Sequence, residues 1–147
     1  MIMGKSSTEM RMIPRTLANE LLQQAQAGGD NEICGLVGAR TEVQGPHLIC
    51  TCYPIPNIAE QPRRRYVMDP ASHIQAMREM RSRDETLFAI YHSHPSSPAA
   101  PSTTDLAEAN YPEALYLIIS LNTKGVLELC GFRLINGQSR EVELVLE

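Results

Sequence analysis

The sequence predicts an α/β fold of the α+β type, a mixed central β-sheet flanked by helices. Three observations carry this expectation. Two segments repeat apolar residues at helical spacing, Leu17-Leu21-Leu22-Ala25 and Ile74-Met77-Met80. Around them run short apolar stretches rich in β-branched and aromatic residues, such as Thr86-Leu87-Phe88-Ala89-Ile90-Tyr91 and Leu115-Tyr116-Leu117-Ile118-Ile119. The length of 147 residues, 43% hydrophobic and 20% charged, supports one domain with its own core and needs no disulfide or metal staple.

Residues 1–11 carry no period and read as a loose lead-in, leaving residues 12–147 as a single domain. Pro14 suits the first turn of a helix that Gly28-Gly29 ends. After an Asp30-Asn31 turn, Glu32-Ile33-Cys34-Gly35-Leu36-Val37-Gly38 reads as a short buried strand that starts on a carboxylate. His47 to Tyr53 is a second strand, and the prolines from Pro54 to Pro62 make a surface loop. Tyr66-Val67-Met68 is a short strand, and Asp69-Pro70 combines an N-cap with proline at the first helical position. That helix takes Ile74, Met77 and Met80 into the core.

Thr86 to Tyr91 is a strand that delivers His92 and His94 at its end. A strand repeats every two residues, so both imidazoles leave one face if the geometry persists. The loop Pro95 to Pro101 holds three prolines, and Ser102-Thr103-Thr104-Asp105 opens a helix that Pro112 closes. Leu115 to Ile119 is the next strand, with Asn122-Thr123-Lys124-Gly125 a turn. Val126 to Leu134 and Val142 to Leu146 are strands joined by a hairpin at Asn136-Gly137.

The bulk properties exclude some functions. A net charge of -4 and a pI near 5.6 give no general attraction to nucleic acid. The run Arg63-Arg64-Arg65 is either a solvated strand end or a local binding rim. No apolar run has the length of a signal-peptide core or a membrane span, so the expected location is the cytoplasm, with no membrane partner. The four cysteines, Cys34, Cys50, Cys52 and Cys130, lie in apolar segments without a CxxC pair, and read as reduced, buried thiols.

The candidate chemistry centres on His92 and His94. A zinc hydrolase needs three protein ligands that leave one position for water, and a base beside that water. His92, His94 and Asp105 form a candidate His-His-Asp metal set, and Glu32 a candidate base. Each residue also has an ordinary explanation. Ser102-x-x-Asp105 fits a helix-capping box, a histidine at a strand end is commonly a satisfied polar residue, and Glu32 after a turn is commonly solvated. His47 and His73 are assigned to surface or packing, and Tyr91 to packing or to support of the ligands.

The pattern His92-x-His94, seven residues, Ser102, two residues, Asp105 resembles the signature of the JAMM metalloproteases, also called MPN-plus or JAB domains. Glu32, followed by Gly35 within an apolar strand, resembles that family's upstream glutamate segment. The likeness spans roughly residues 12–147, with no departure at a motif position. It implies the cytidine-deaminase-like JAMM/MPN architecture, with zinc bound by His92, His94 and Asp105. It also implies that Glu32 contacts the zinc-bound water as general base, and that Ser102 hydrogen-bonds the oxyanion at the attacked carbonyl. Asp105 is followed closely by the next strand, leaving little room for insertions, so the chain is most similar to the compact stand-alone prokaryotic members. That similarity implies a peptidase acting on a peptide or isopeptide bond at the C-terminus of a ubiquitin-like (β-grasp) sulfur-carrier protein. The loops Pro54 to Arg65 and Pro95 to Pro101 are the expected walls for its tail.

Two rivals stand beside this expectation. One is a catalytically silent MPN-type scaffold or binding module, which has no need of the complete set. The other is a different zinc hydrolase, for example a nucleobase deaminase, whose Pro-Cys-x-x-Cys signature is missing.

Overall fold

The computed structural model describes residues 9–42, 47–122 and 126–147. The elements follow in the order β1 (Glu9–Ile13), α1 (Arg15–Gly28), β2 (Cys34–Thr41), β3 (Leu48–Ile55), α2 (Pro70–Ser82), β4 (Thr86–His94), α3 (Thr103–Glu108), β5 (Leu115–Ser120), β6 (Glu128–Ile135) and β7 (Gln138–Leu146). The strands form one seven-stranded sheet ordered β1-β7-β6-β5-β4-β2-β3. β1 with β7 and β4 with β5 are parallel, and the other pairs are antiparallel. The expected mixed sheet with flanking helices is therefore what the chain forms. No helix among the described residues is long and apolar enough to cross a membrane.

Period-two alternation sorts the strand residues onto two faces. On one, α1 lays Leu17, Leu21 and Ala25 against Val37, Ala89 and Leu117. On the other, α2 brings Ala76 and Met80 against Leu36, Ile90 and Ile118. Because Ile90 lies on the α2 face, His92 and His94 share it. Tyr91 points the other way, into the α1 layer, where its hydroxyl donates to Gln24 Oε1 at 2.6 Å.

Several boundaries differ from the sequence reading, each for a physical reason. The lead-in does not last to Arg11. Glu9 opens β1, which pairs with β7, and its carboxylate accepts from Arg133 at 2.8 and 3.1 Å. Pro54 lies inside β3 rather than in the loop. β3 is an edge strand, where the missing proline N–H costs no ladder bond. Tyr66 to Met68 makes only the bridge Asn57↔Met68, because the Asn57 side chain takes the Val67 N–H that a ladder would have used. α3 ends at Glu108, with Ala109 already extended, well short of Pro112. Ile74 is exposed, so α2 buries Ala76 and Met80 and leaves that position to solvent.

Other expectations hold. Asp69 caps α2 by accepting from the Ser72 N–H at 3.0 Å. Asn136 and Gly137, both at positive φ, turn β6 into β7. All four cysteines are free. The expected burial holds for Cys34 and not for the other three, which are half-buried; burial pushes the Cys34 thiol up to about 12 and Cys50 up to about 11. The turn expected at residues 122–125 lies largely outside the described residues, as do residues 1–8 of the lead-in and the Gly45-Pro46 step before His47.

β2 holds the closest backbone approach. A Cβ at Gly35 would overlap the Tyr91 phenol and the Tyr53 carbonyl oxygen, and the hydrogen bond to Gln24 keeps that phenol from swinging away. Gly35→Ala should therefore cost about 1–3 kcal/mol of stability. Urea denaturation reads this directly, and an unmoved midpoint would contradict the packing described.

Candidate active site

The register of β2 on β4 builds the site. Cys34 lies opposite His92, so one step further back Ile33 meets Ser93 and Glu32 comes level with His94. Two contacts hold this last step. The Ser93 N–H donates to the Ile33 carbonyl at 3.0 Å, and the Ile33 N–H donates to Ser93 Oγ at 2.9 Å. Alternation then puts Glu32, Cys34, His92 and His94 on one face.

Asp105 arrives from α3. Ser102 caps that helix: its Oγ accepts from the Asp105 N–H at 3.0 Å, and Asp105 Oδ2 accepts from the Ser102 N–H at 2.9 Å. The capping box is formed, and it also aims the carboxylate. The same Oδ2 lies 3.0 Å from His92 Nε2 and 3.1 Å from His94 Nε2, while the two Nε2 atoms are 3.0 Å apart. Ser102 Oγ still has its own hydrogen to donate, because in the cap it only accepts.

The two imidazoles are held by different means. His94 Nδ1 donates to the Pro98 carbonyl at 2.7 Å, which leaves Nε2 to face the Asp105 carboxylate. The loop carrying Pro98 is fixed in turn by Ser120, whose hydroxyl donates to the Ser97 carbonyl at 2.7 Å. His92 is fully buried with no partner at Nδ1, and is held by the Tyr66 ring, its centroid 4.5 Å away.

Burial and charge set the protonation pattern. Burial favours neutral forms throughout. At Asp105 the hydrogen bonds from His92 and His94 outweigh it and hold the carboxyl well below the usual carboxylate range. At His94 burial is outweighed by the bonds to Asp105 and Pro98, and the imidazole is raised, whereas at His92 burial prevails and the group is lowered. Glu32 is 4% exposed, with Oε1 unpartnered, and burial pushes its carboxyl up to about 7; the Asp105 charge adds to the rise and His94 opposes it.

The donor set suits a divalent cation. Two imidazole nitrogens and a carboxylate oxygen converge within 3.1 Å of one another. Ligands at about 2.0–2.1 Å around tetrahedral zinc stand about 3.3 Å apart, so a small adjustment accommodates the ion. Glu32, His92 and His94 also offer atoms all within 4.8 Å of one another, a group that could hold a metal. The structure thus brings Glu32, His92, His94 and Asp105 together, with Ser102 at the helix start beside them. His47 and His73 lie elsewhere: His47 is exposed near Glu147, and His73 packs toward Tyr111.

Two residues went unnoticed in the sequence. Tyr66 covers His92. Asn57 ties the loop to Glu32, its Nδ2 donating to the carbonyls of Glu32 at 3.0 Å and Arg65 at 3.1 Å, and its Oδ1 accepting from Ala59 and Val67. Both stand in irregular backbone, where no period marks a facing direction.

Comparison with known proteins places the chain among similar ones. Residues 14–138 match the family model described as prokaryotic homologs of the JAB domain. The chain is similar to a probable TtuB-protein conjugate cleaving protease of Thermus thermophilus, 34% identical over 91% of this chain and 81% of that one. It is also similar to the CysO-cysteine peptidase of Mycobacterium tuberculosis, 29% identical over 96% and 94%. Among solved structures, AF2198, a JAB1/MPN domain protein from Archaeoglobus fulgidus, matches with a TM-score of 0.50 at 20% identity over 93% and 98%, a likeness of fold.

The raised Glu32 carboxyl has a stability consequence. The folded chain keeps this proton up to about pH 7, while the unfolded chain releases it near 4.5, so the native state binds more protons between those values. Folding stability from this group is present below pH 4.5 and is lost as pH rises toward 7. In chelator-treated protein, Glu32→Gln should therefore stabilise the fold at pH 8 by about 2–3 kcal/mol relative to its effect at pH 4.5, at about 1.4 kcal/mol per pKa unit. Thermal melts at the two pH values check it, and an equal effect at both would refute the buried acid.

Proposed function

Because the chain belongs to the family of prokaryotic homologs of the JAB domain, we propose that it is a zinc-dependent metallopeptidase. It hydrolyses a peptide or isopeptide bond at the C-terminus of a ubiquitin-like sulfur-carrier protein. The observation that carries this reading is the convergence of His92 Nε2, His94 Nε2 and Asp105 Oδ2 beside a buried carboxylate with an unpartnered oxygen. A silent scaffold gains nothing from burying Glu32 in this way, since the unpaired carboxyl costs stability. The names of the relatives, one a conjugate cleaving protease and one a peptidase, support the substrate class. Four free cysteines support a cytoplasmic setting.

His92, His94 and Asp105 would hold the zinc, which when bound lowers the pKa of water from about 15.7 to about 7 and polarises a carbonyl. The remaining work falls to side chains of this chain. Glu32, level with His94, accepts a proton from the attacking water and returns it to the leaving amine nitrogen. In the ion-free chain burial holds this carboxyl up at about 7, and a bound cation beside it would favour the carboxylate that accepts the proton. Ser102 donates its free O–H to the carbonyl oxygen as negative charge builds there. In the ion-free chain Asp105 Oδ2 meets both Nε2 atoms, and the Ser102 cap aims it at that point. The substrate tail runs in extended form between the Pro54 to Arg65 and Pro95 to Pro101 segments.

Incubation of the zinc-loaded chain with sulfur-carrier proteins bearing C-terminal extensions or conjugates, followed by intact mass, tests the reading. Cleavage is expected after the tail. Glu32→Gln should lower kcat by about 10²–10⁴-fold, and Ser102→Ala by about 10²–10³-fold. A zinc-loaded chain that cleaves none of these proteins, or a Glu32→Gln variant with near-full activity, would reject it.

A further inference from the structure

The two imidazoles of the site are aimed by unequal means. An imidazole turns about its Cβ–Cγ bond with only a broad intrinsic preference, so a metal-ligating histidine is ordinarily aimed by a hydrogen bond at its other ring nitrogen. His94 has such a bond, to the Pro98 carbonyl at 2.7 Å. His92 is fully buried and its Nδ1 has no partner. The face of the Tyr66 ring lies against it instead, with centroids 4.5 Å apart and planes inclined by 30°.

We propose that Tyr66 and Asn57 are positioning residues for this ligand: the Tyr66 ring holds His92 at the angle that aims Nε2 at the ion, and Asn57 holds Tyr66. The inference rests on the metal reading of the site and adds how one of its ligands is aimed.

Stacking can do this because of its geometry. With the two rings so near to parallel, turning the imidazole about Cβ–Cγ would drive its edge into the phenol face, and close-packed side chains yield little to such an overlap. His94 meets His92 edge to face, at 4.8 Å and 64°, and so offers it no flat support. Burial alone would need only an apolar side chain at position 66. Aiming an imidazole needs a flat one.

Tyr66 in turn has no regular element to hold it, since it falls between β3 and α2. Asn57 grips the chain on both sides of it. Its Nδ2 donates to the Arg65 carbonyl at 3.1 Å and its Oδ1 accepts from the Val67 N–H at 2.9 Å, so one side-chain amide takes the backbone groups that flank Tyr66. The other two bonds of the amide, from Nδ2 to the Glu32 carbonyl and from the Ala59 N–H to Oδ1, fix its own orientation. Rival supports are weaker or act elsewhere. Arg65 pairs with Glu108 of α3 at 2.6 Å, but both side chains are half open to solvent, where such a pair contributes little. The backbone bonds from Ile58 to Val67 and from Asp69 to Pro56 close the loop on the α2 side of Tyr66 and leave the Arg65 side to Asn57.

The test measures zinc affinity of the full chain and its variants by competition with a chelator, while thermal melts in excess chelator read stability separately. Tyr66→Phe keeps the ring and should stay within about threefold of the unsubstituted chain. Tyr66→Leu keeps apolar bulk without a plane, and should bind zinc at least about tenfold more weakly. A larger loss in Tyr66→Phe, or a smaller one in Tyr66→Leu, overturns the role of the ring. Asn57→Ala leaves the ring in place and tests the same aim independently. It should weaken zinc binding at least about threefold; a smaller loss overturns the role of Asn57. In the Tyr66→Leu background Asn57→Ala should change the affinity by less than about twofold, and a larger further loss overturns the route through Tyr66. Lower melting temperatures with unchanged zinc affinity would make both residues supports of the loop alone and overturn the proposal. An unsubstituted chain that takes up no zinc overturns the metal reading itself, an outcome distinguished by its independence of either residue.

Discussion

The site depends on the antiparallel register between β2 and β4. With Cys34 opposite His92, the residue that brings a carboxylate to the two histidines is the one just before the strand begins, and Glu32 occupies it. A slip of one residue would send Glu32 to the α1 face, away from both imidazoles. Ser93 guards against that slip. It stands between the two histidines, faces the opposite layer, and takes the Ile33 N–H on its hydroxyl while its own N–H donates to the Ile33 carbonyl. Glu32 is further clamped through its backbone, by Pro62 on one side and Asn57 on the other.

Asp105 performs two tasks with one carboxylate. Its Oδ2 closes the capping box of a six-residue helix, and the same atom holds both Nε2 atoms. So short a helix has little stability of its own. The cap therefore also orients the carboxylate toward the two histidines, so a structural role for Ser102 and Asp105 is compatible with the proposed one. The histidines are asymmetric: His94 has its tautomer set by Pro98, whereas the Nδ1 of His92 meets no partner and the ring is held by Tyr66. In the absence of an ion burial lowers the His92 imidazole, while at His94 the bonds to Asp105 and Pro98 outweigh burial and raise it.

Much of this was legible in the sequence because it obeys local rules. The α1 stripe, the Asp69-Pro70 helix start, the Asn136-Gly137 turn and the paired exit of His92 and His94 follow from periods and from residue chemistry that act within a few positions. What escaped detection depends on partners far along the chain. β1 exists because β7 offers it an edge, and Pro54 is admitted to β3 because that strand is itself an edge. Tyr66 and Asn57 act from a loop whose course is set by side-chain hydrogen bonds in place of a ladder. In the sequence Glu32 reads as a carboxylate at the head of a buried strand and as a candidate base, but nothing local shows where it sits. Its burial and its neighbours come from pairing with residues some sixty positions away.

The central claim is a division of labour, in which His92, His94 and Asp105 hold the ion and Glu32 stays free to move a proton. Glu32 is close enough to the histidines to be a ligand itself, so proximity alone does not separate the roles. Zinc content by mass spectrometry of the purified variants does. Glu32→Gln should retain about one zinc per chain, and Asp105→Ala should lose it. Loss of zinc from Glu32→Gln together with its retention in Asp105→Ala would contradict the account.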